Sequence, residues 1–320
     1  MPLVLNAGNN IIQKISWIDN LKAIGILMVI LGHINSPFSH FIFSWHMPLF
    51  FIVAGFFIKF DLSVKDFLIK DFKRLMVPYF VFAIVGLVVE TAKRMALHRD
   101  VLDYIYEITG IFIWMDMPSL INTYAFVLWF LPTLFFARII IFLVNKQFAS
   151  FLLRFILIFS LFLVSFVVNI PFGIDNAMNA VLFVFIGSIF FRFYQDDKKL
   201  YGFAFGAMAA ILYFGIPSLD MANKNYENVF INILWSASIV FVIVAALKKI
   251  DFKSKSLNVW GKSTMLLFIM HPYTNNIAHI VVEKLHFGDW WLKLFISLTL
   301  LQMLILAKQK FAGKMLFKYV

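Results

Sequence analysis

Three histidines stand in stretches of sequence that are otherwise apolar. His33 closes WIDNLKAIGILMVILGH, His46 sits in SWHMPLFFIVAGFF, and His271 sits in GKSTMLLFIMHPYT. An imidazole exchanges its proton near neutral pH, so a histidine held in a cavity suits general-base work on a hydroxyl or transient carriage of an acyl group. The other reading of His33 is a buried histidine hydrogen bonded to a neighbouring helix, and spacing alone leaves both open. Three helical turns, about 16 Å of rise, separate Lys22 from His33, so the two share a helix face. Asp19 stands one turn before Lys22 and can pair with it. A second constellation is basic: KDFKRLMVPYF sets Lys70, Lys73 and Arg74 where an apolar stretch begins. Such bases suit phosphate binding, although cytoplasmic loops of membrane proteins collect Lys and Arg for topological reasons too.

Other residues carry weaker signals. Trp129, in LWFLPTLFF, either packs in a core or lines a cavity. Pro48 and Gly55 read as packing residues that permit a kink and a close helix approach. His40, His98, His279 and His286 read as loop or interface residues. The sequence has no Gly-rich phosphate loop, no HExxH, no GxSxG, and no cysteine. Metal-centred, serine-hydrolase and thiolate chemistries therefore have no motif to stand on, and no pair of close carboxylates supports a glycosidase.

The elements that must position these groups follow from composition. Hydrophobic residues make up 62% of the chain, charged residues 14%, and mean hydropathy is +0.88. A soluble domain has roughly 45–50% apolar and about 25% charged residues, so the solvent here must be lipid. On the scale of about 20 apolar residues per crossing, spans fall near 17–35, 41–58, 75–91, 124–144, 150–168, 179–194, 201–217, 230–247, 263–282 and 290–307. The stretch 104–121, interrupted by Glu107, Gly110, Asp116 and Pro118, reads as interfacial or re-entrant. The first apolar stretch lacks a small-residue cleavage site and reads as a retained helix. No internal repeat or soluble segment divides residues 1–320. The expectation is therefore an all-α, polytopic integral membrane protein of about ten transmembrane helices in a single domain.

The net charge of +11 would suggest nucleic acid in a soluble protein; here it reflects topology, and no nucleic-acid partner is expected. Alternating spans place Lys14, Lys59, Lys65, Lys70, Lys73, Arg74, Lys146, Lys198 and Lys199 on one side. Lys248, Lys249, Lys253, Lys255, Lys262 and the tail lysines Lys308, Lys310, Lys314 and Lys318 share it. The other side holds only Lys93, Arg94, Arg99, Lys224 and Lys284. That asymmetry puts both termini in the cytoplasm.

With these residues in order along nearly the whole chain, the sequence resembles the acyltransferase family 3 membrane proteins. The resemblance is strongest to the branch of fucose 4-O-acetylases and other surface-polysaccharide O-acetyltransferases. Its carriers are IDNLKAIGILMVILGH (18–33), SWHMPLFFIVAGFF (44–57), KRLMVPYF (73–80), LWFLPTLFF (128–136), VLFVFIGSIFF (181–191) and GKSTMLLFIMHP (261–272). The family's basic residue and histidine in the first helix map to Lys22 and His33; many members have arginine at the first position. A family pair of arginines before the third helix is met here by Lys70, Lys73 and Arg74 in a shifted register, which leaves open which of them carries the role. Some members append a soluble esterase-like domain, and none is seen here.

The resemblance implies O-acetylation of a glycan, such as an O-antigen or exopolysaccharide, in the inner or plasma membrane of the cell. Acetyl-CoA would be the donor and no metal would be needed. His33, Lys22 and His271 would be catalytic, and Lys70, Lys73 and Arg74 would hold the CoA phosphates. His46, Trp129 and Ser263 would contact substrate. Lys22, His271 or Ser263 would face the developing negative charge on the thioester oxygen, and direct transfer and an acetyl-histidine relay both remain open. Partners would be the lipid bilayer, a glycan or lipid-linked sugar acceptor, and the machinery that assembles it. The competing class is a transporter or flippase of a lipid-linked glycan, which commonly shows repeats with broken helices in matching positions.

Overall fold

The computed structural model describes residues 3–4, 13–14, 16–250 and 254–311; Lys253, Lys314 and Lys318 of the charge pattern lie outside them. With no water inside a bilayer, backbone groups must bond within their own segment, and the chain responds with helices almost throughout. In chain order these are α1 (Ser16–Gly32), α2 (Ser39–Phe43), α3 (His46–Phe56), α4 (Val64–Asp71) and α5 (Val77–Ala96). Then come α6 (Tyr104–Thr109), α7 (Met117–Leu120), α8 (Phe130–Gln147), α9 (Phe151–Val164) and α10 (Ile174–Ile189). The last five are α11 (Lys198–Phe214), α12 (Val229–Ile250), α13 (Lys255–Lys262), α14 (Thr264–Leu285) and α15 (Trp290–Lys310). A π-helical turn, Phe72–Met76, joins α4 to α5, and a 3₁₀ turn, Phe126–Trp129, leads into α8. Two short strand pairs, Leu3–Val4 with Gln13–Lys14 and Leu219–Asp220 with Asn225–Tyr226, are the only sheet among the described residues. Helices that start from polar loops are capped by side chains: Ser63, Ser150 and Ser254 accept from the third residue onward, and Asp103, Asp116 and Asp197 do the same work.

Among the described residues, six helical stretches are long and apolar enough to cross a membrane: Ser39–Phe56, Val64–Ala96, Phe126–Gln147, Pro171–Tyr194, Val229–Ile250 and Trp290–Lys310. The protein is an all-α polytopic membrane protein. The other expected spans fall on helices with a visible reason for not joining the six. Ser16–Gly32 and Lys198–Phe214 have 17 residues and Phe151–Val164 has 14. Thr264–Leu285 has 22, but His271, Asn275 and Asn276 break its apolar run. The stretch 104–121 is not one helix but α6, a π turn at Gly110–Trp114, and α7. Lipid as solvent is also visible on α11, which buries Ala204 and leaves Phe203 and Phe205 63% and 60% exposed. In water such a face would drive aggregation.

Two compact units make up the chain. Among the described residues, one comprises 3–4, 13–14, 16–50, 196–216, 233–250 and 254–310; the other comprises 51–195, 217–232 and 311. In the first unit, α1 packs along α13 and α14, and α14 packs on α15. Gly261 makes the α1–α13 contact possible, because a methyl group there would collide with the Asp19 carbonyl oxygen. Pro48 has no N–H to offer the Ser44 carbonyl one turn earlier. The Ser236 hydroxyl donates to that oxygen at 3.0 Å, while the fully buried Trp235 donates to the Ser44 hydroxyl at 2.7 Å. In the second unit, α10 packs against α8 and α9. Gly55 and Gly187 each lie against the other helix's backbone, at Val184 and Ile52 respectively, so neither tolerates a side chain.

Candidate functional site

The three histidines of the sequence reading meet in the first unit. His33 caps the last turn of α1, with its N–H bonded to the Val29 carbonyl at 3.2 Å and its ring Nδ1 at 2.8 Å from the same oxygen. His46 opens α3 with Nδ1 2.9 Å from the Ile42 carbonyl. His271 lies inside α14, immediately before Pro272. That proline leaves the Phe268 carbonyl without its helical donor, and His271 Nδ1 stands 2.7 Å from this oxygen. A carbonyl oxygen only accepts, so Nδ1 carries the proton in each ring and Nε2 holds the lone pair of the neutral imidazole. Each helix thus dictates its histidine's tautomer from its own backbone.

The ring centroids of His33 and His271 are 5.1 Å apart at 67°, and those of His33 and His46 are 6.3 Å apart at 79°. Phe43 packs against both His33 and His46, at 5.4 and 5.3 Å, and Phe268 lies 6.0 Å from His271. His271 is 0% exposed and His46 4%, whereas His33 is half-buried. His33 is therefore the most exposed of the three imidazoles. His271 Nε2 is buried with no hydrogen-bond partner among the described residues. An unsatisfied buried polar atom costs about 1–3 kcal/mol, which asks for a reason beyond packing. Among the described residues no three His, Asp or Glu side chains are arranged to hold a metal ion.

A buried polar network supports this cluster from behind. Asn275 Nδ2 donates to the Ile30 carbonyl on α1 at 3.3 Å, and the Ser297 hydroxyl of α15 donates to Asn275 Oδ1 at 2.6 Å. The Thr274 hydroxyl lies 2.8 Å from the Ser297 hydroxyl and 3.2 Å from the His271 carbonyl oxygen. These bonds fix α14 against α1 within a turn of His33. They were not singled out from the sequence, although Asn275 lies in an expected span where any strong hydrogen-bonding group needs a partner.

Lys22 and Ser263 are not brought to the imidazoles. Lys22 pairs with Asp19 at 2.8 Å, as its spacing predicts, and stands about 16 Å along α1 from His33. Ser263, buried at the junction of α13 and α14, follows Gly261, which touches Asp19, and precedes His271 by about 12 Å of helix rise. The first unit therefore has two polar levels: Asp19, Lys22 and Ser263 at one, and the three histidines at the other.

The remaining expected residues belong to the second unit. Lys70 ends α4, Lys73 and Arg74 lie in the π turn that follows, and all three are exposed. Trp129 is buried at the entrance to α8. Sequence reasoning missed the pair set among these bases: Arg138 of α8 donates from Nε to Asp71 Oδ2 at 2.6 Å, with side chains 2% and 1% exposed. The signal was present, since Arg138 falls inside the expected span 124–144, where a charged side chain is costly and asks for a counter-charge. A Lys224–Asp175 pair and a Tyr226 hydroxyl donating to Asn179 at 2.7 Å tie the 219–226 hairpin to α10.

A family model described as an acyltransferase domain matches residues 15–306. No curated protein and no solved structure matches the chain.

Proposed function

The chain belongs to the acyltransferase 3 family of membrane proteins, and on that premise we propose that it is an O-acetyltransferase moving acetyl from acetyl-CoA to a hydroxyl of a cell-surface or lipid-linked glycan. The observation that carries this reading is the half-buried His33 imidazole, set against two buried imidazoles with its tautomer fixed by the Val29 carbonyl. His33 Nε2 takes the proton of the acceptor hydroxyl as that oxygen attacks the thioester carbonyl carbon. The C–S bond breaks, and the imidazolium returns the proton to the departing CoA thiolate. A positioned base of this kind contributes about 10²–10⁴-fold in rate. His271 and His46 hold the ring from behind, and His46 also faces the acceptor. Trp129 is assigned to the substrate path. Lys70, Lys73 and Arg74 take the CoA phosphates. Lys22 and Ser263 serve the opposite end of α1, where the donor enters.

The enzyme sits in the cell membrane with about ten crossings and both termini in the cytoplasm. Loop charge supports this orientation. Helix direction fits the alternation of spans: α1 meets Gly261 at its Asp19 end and His271 at its His33 end, so α1 and α14 run the same way, as the first and ninth of alternating spans must.

The test is transfer of labelled acetyl from acetyl-CoA to glycan by membranes containing the protein. Wild-type membranes should label the glycan, and His33→Ala membranes with equal amounts of inserted protein should not. Undiminished labelling by His33→Ala would overturn the assignment.

A further inference from the structure

We propose that the buried Arg138–Asp71 pair is a positioning device, holding Lys70, Lys73 and Arg74 in the register that receives the phosphates of an acyl-CoA. This rests on the reading of those bases as the phosphate site. Across Lys70–Arg74, the Asp71 carboxylate is turned inward and is 1% exposed, while the three bases flanking it face outward. Arg138 holds the carboxylate from two nitrogens, Nε at 2.6 Å and Nη2 at 3.5 Å. Its Nη1 donates to the Ala54 carbonyl at 2.6 Å, and its guanidinium lies 5.6 Å from the centre of the Phe67 ring, one turn before Asp71. One residue of the basic segment is thereby tied, through Arg138, to two other elements, α8 and α3.

Such an anchor has a definite purpose at this place. A buried ion pair is a poor source of stability, since apolar residues of similar volume commonly serve as well. The segment it holds is register-sensitive: Phe72–Met76 is a π turn in which the Val77 N–H reaches the Phe72 carbonyl. Pro78, with no N–H, leaves the Arg74 carbonyl without a helical donor and favours that irregularity. Relaxation to the α register would rotate the bases by one residue, about 100° around the helix axis. Arg138 blocks that relaxation by fixing Asp71 immediately before the turn.

The experiment is equilibrium binding of labelled acetyl-CoA and of S-acetyl-pantetheine, which lacks the phosphates, to the full chain in phospholipid nanodiscs. Arg138→Lys keeps the charge and loses the fork; it should weaken acetyl-CoA binding by about tenfold, the value of one charge-assisted hydrogen bond, and leave S-acetyl-pantetheine binding unchanged. Should Arg138→Lys fail to fold, the double variant Asp71→Leu/Arg138→Met replaces the pair by apolar volume and should show the same selective loss. Lys73→Ala and Arg74→Ala separate the two ideas. If both bind acetyl-CoA like the wild type, the phosphate-site reading is wrong, and this inference goes with it. If they weaken it while the Arg138 and double variants bind normally, the bases hold phosphate and the positioning inference alone is overturned.

Discussion

At His33 one carbonyl oxygen, that of Val29, accepts from both the backbone N–H and the ring Nδ1, and this leaves Nε2 as the basic atom. The same device operates at His271, where Pro272 frees the Phe268 carbonyl, so the proline shapes the histidine cluster through the backbone. Substitution of His33 by Ala should lower turnover by about 10²–10⁴-fold with normal membrane insertion, measured as labelled acetyl incorporated per inserted protein. Ser297 tests the supporting network. Ser297→Ala leaves Asn275 Oδ1 and the Thr274 hydroxyl short of a partner, and should destabilise the protein by about 1–3 kcal/mol in thermal unfolding from detergent. Its effect on turnover should be smaller than that of His33→Ala, because the network orients α14 and leaves the proposed base in place.

Among the helices, glycine separates contacts that matter from those that do not. Gly261 is pressed against the Asp19 carbonyl, whereas Gly202 and Gly206 on α11 have nothing within 4 Å of where a Cβ would stand. Gly261→Ala should therefore push α13 from α1 and destabilise by about 1–3 kcal/mol. Gly202→Ala, at an open position in a helix interior, should be neutral or stabilise by about 0.5–1 kcal/mol. The measurement is the midpoint of thermal unfolding for the two variants side by side; equal shifts would remove the packing argument for Gly261.

For the whole chain, the charge asymmetry of the loops predicts a topology that can be read directly. The protein has no cysteine, so single cysteines can be introduced without background. Asn223→Cys, beside Lys224, should react with a membrane-impermeant maleimide on intact cells. Lys65→Cys should react only after the membrane is opened. The reverse pattern would invert the orientation and place the basic turn on the wrong side for cytoplasmic acyl-CoA.

The membrane class, the helical architecture and the three histidines were legible from residue types alone, because lipid allows few backbone solutions and makes every ionisable group in an apolar run conspicuous. The Lys22–Asp19 pair was equally legible, being a contact within one helical turn. Helix spacing could say that His33, His46 and His271 lie at similar depths, but it carries no information about which faces of different helices meet. Only the tertiary structure decided that the ring centroids of His33 and His271 lie 5.1 Å apart, whereas the separation of Lys22 from His33 along one helix already followed from helix rise. Arg138 was conspicuous in its apolar run, but its pairing with Asp71, 67 residues away in the chain, was beyond the reach of local pattern. Its partners are chosen by long-range packing, which puts the arginine where one buried carboxylate can answer its charge.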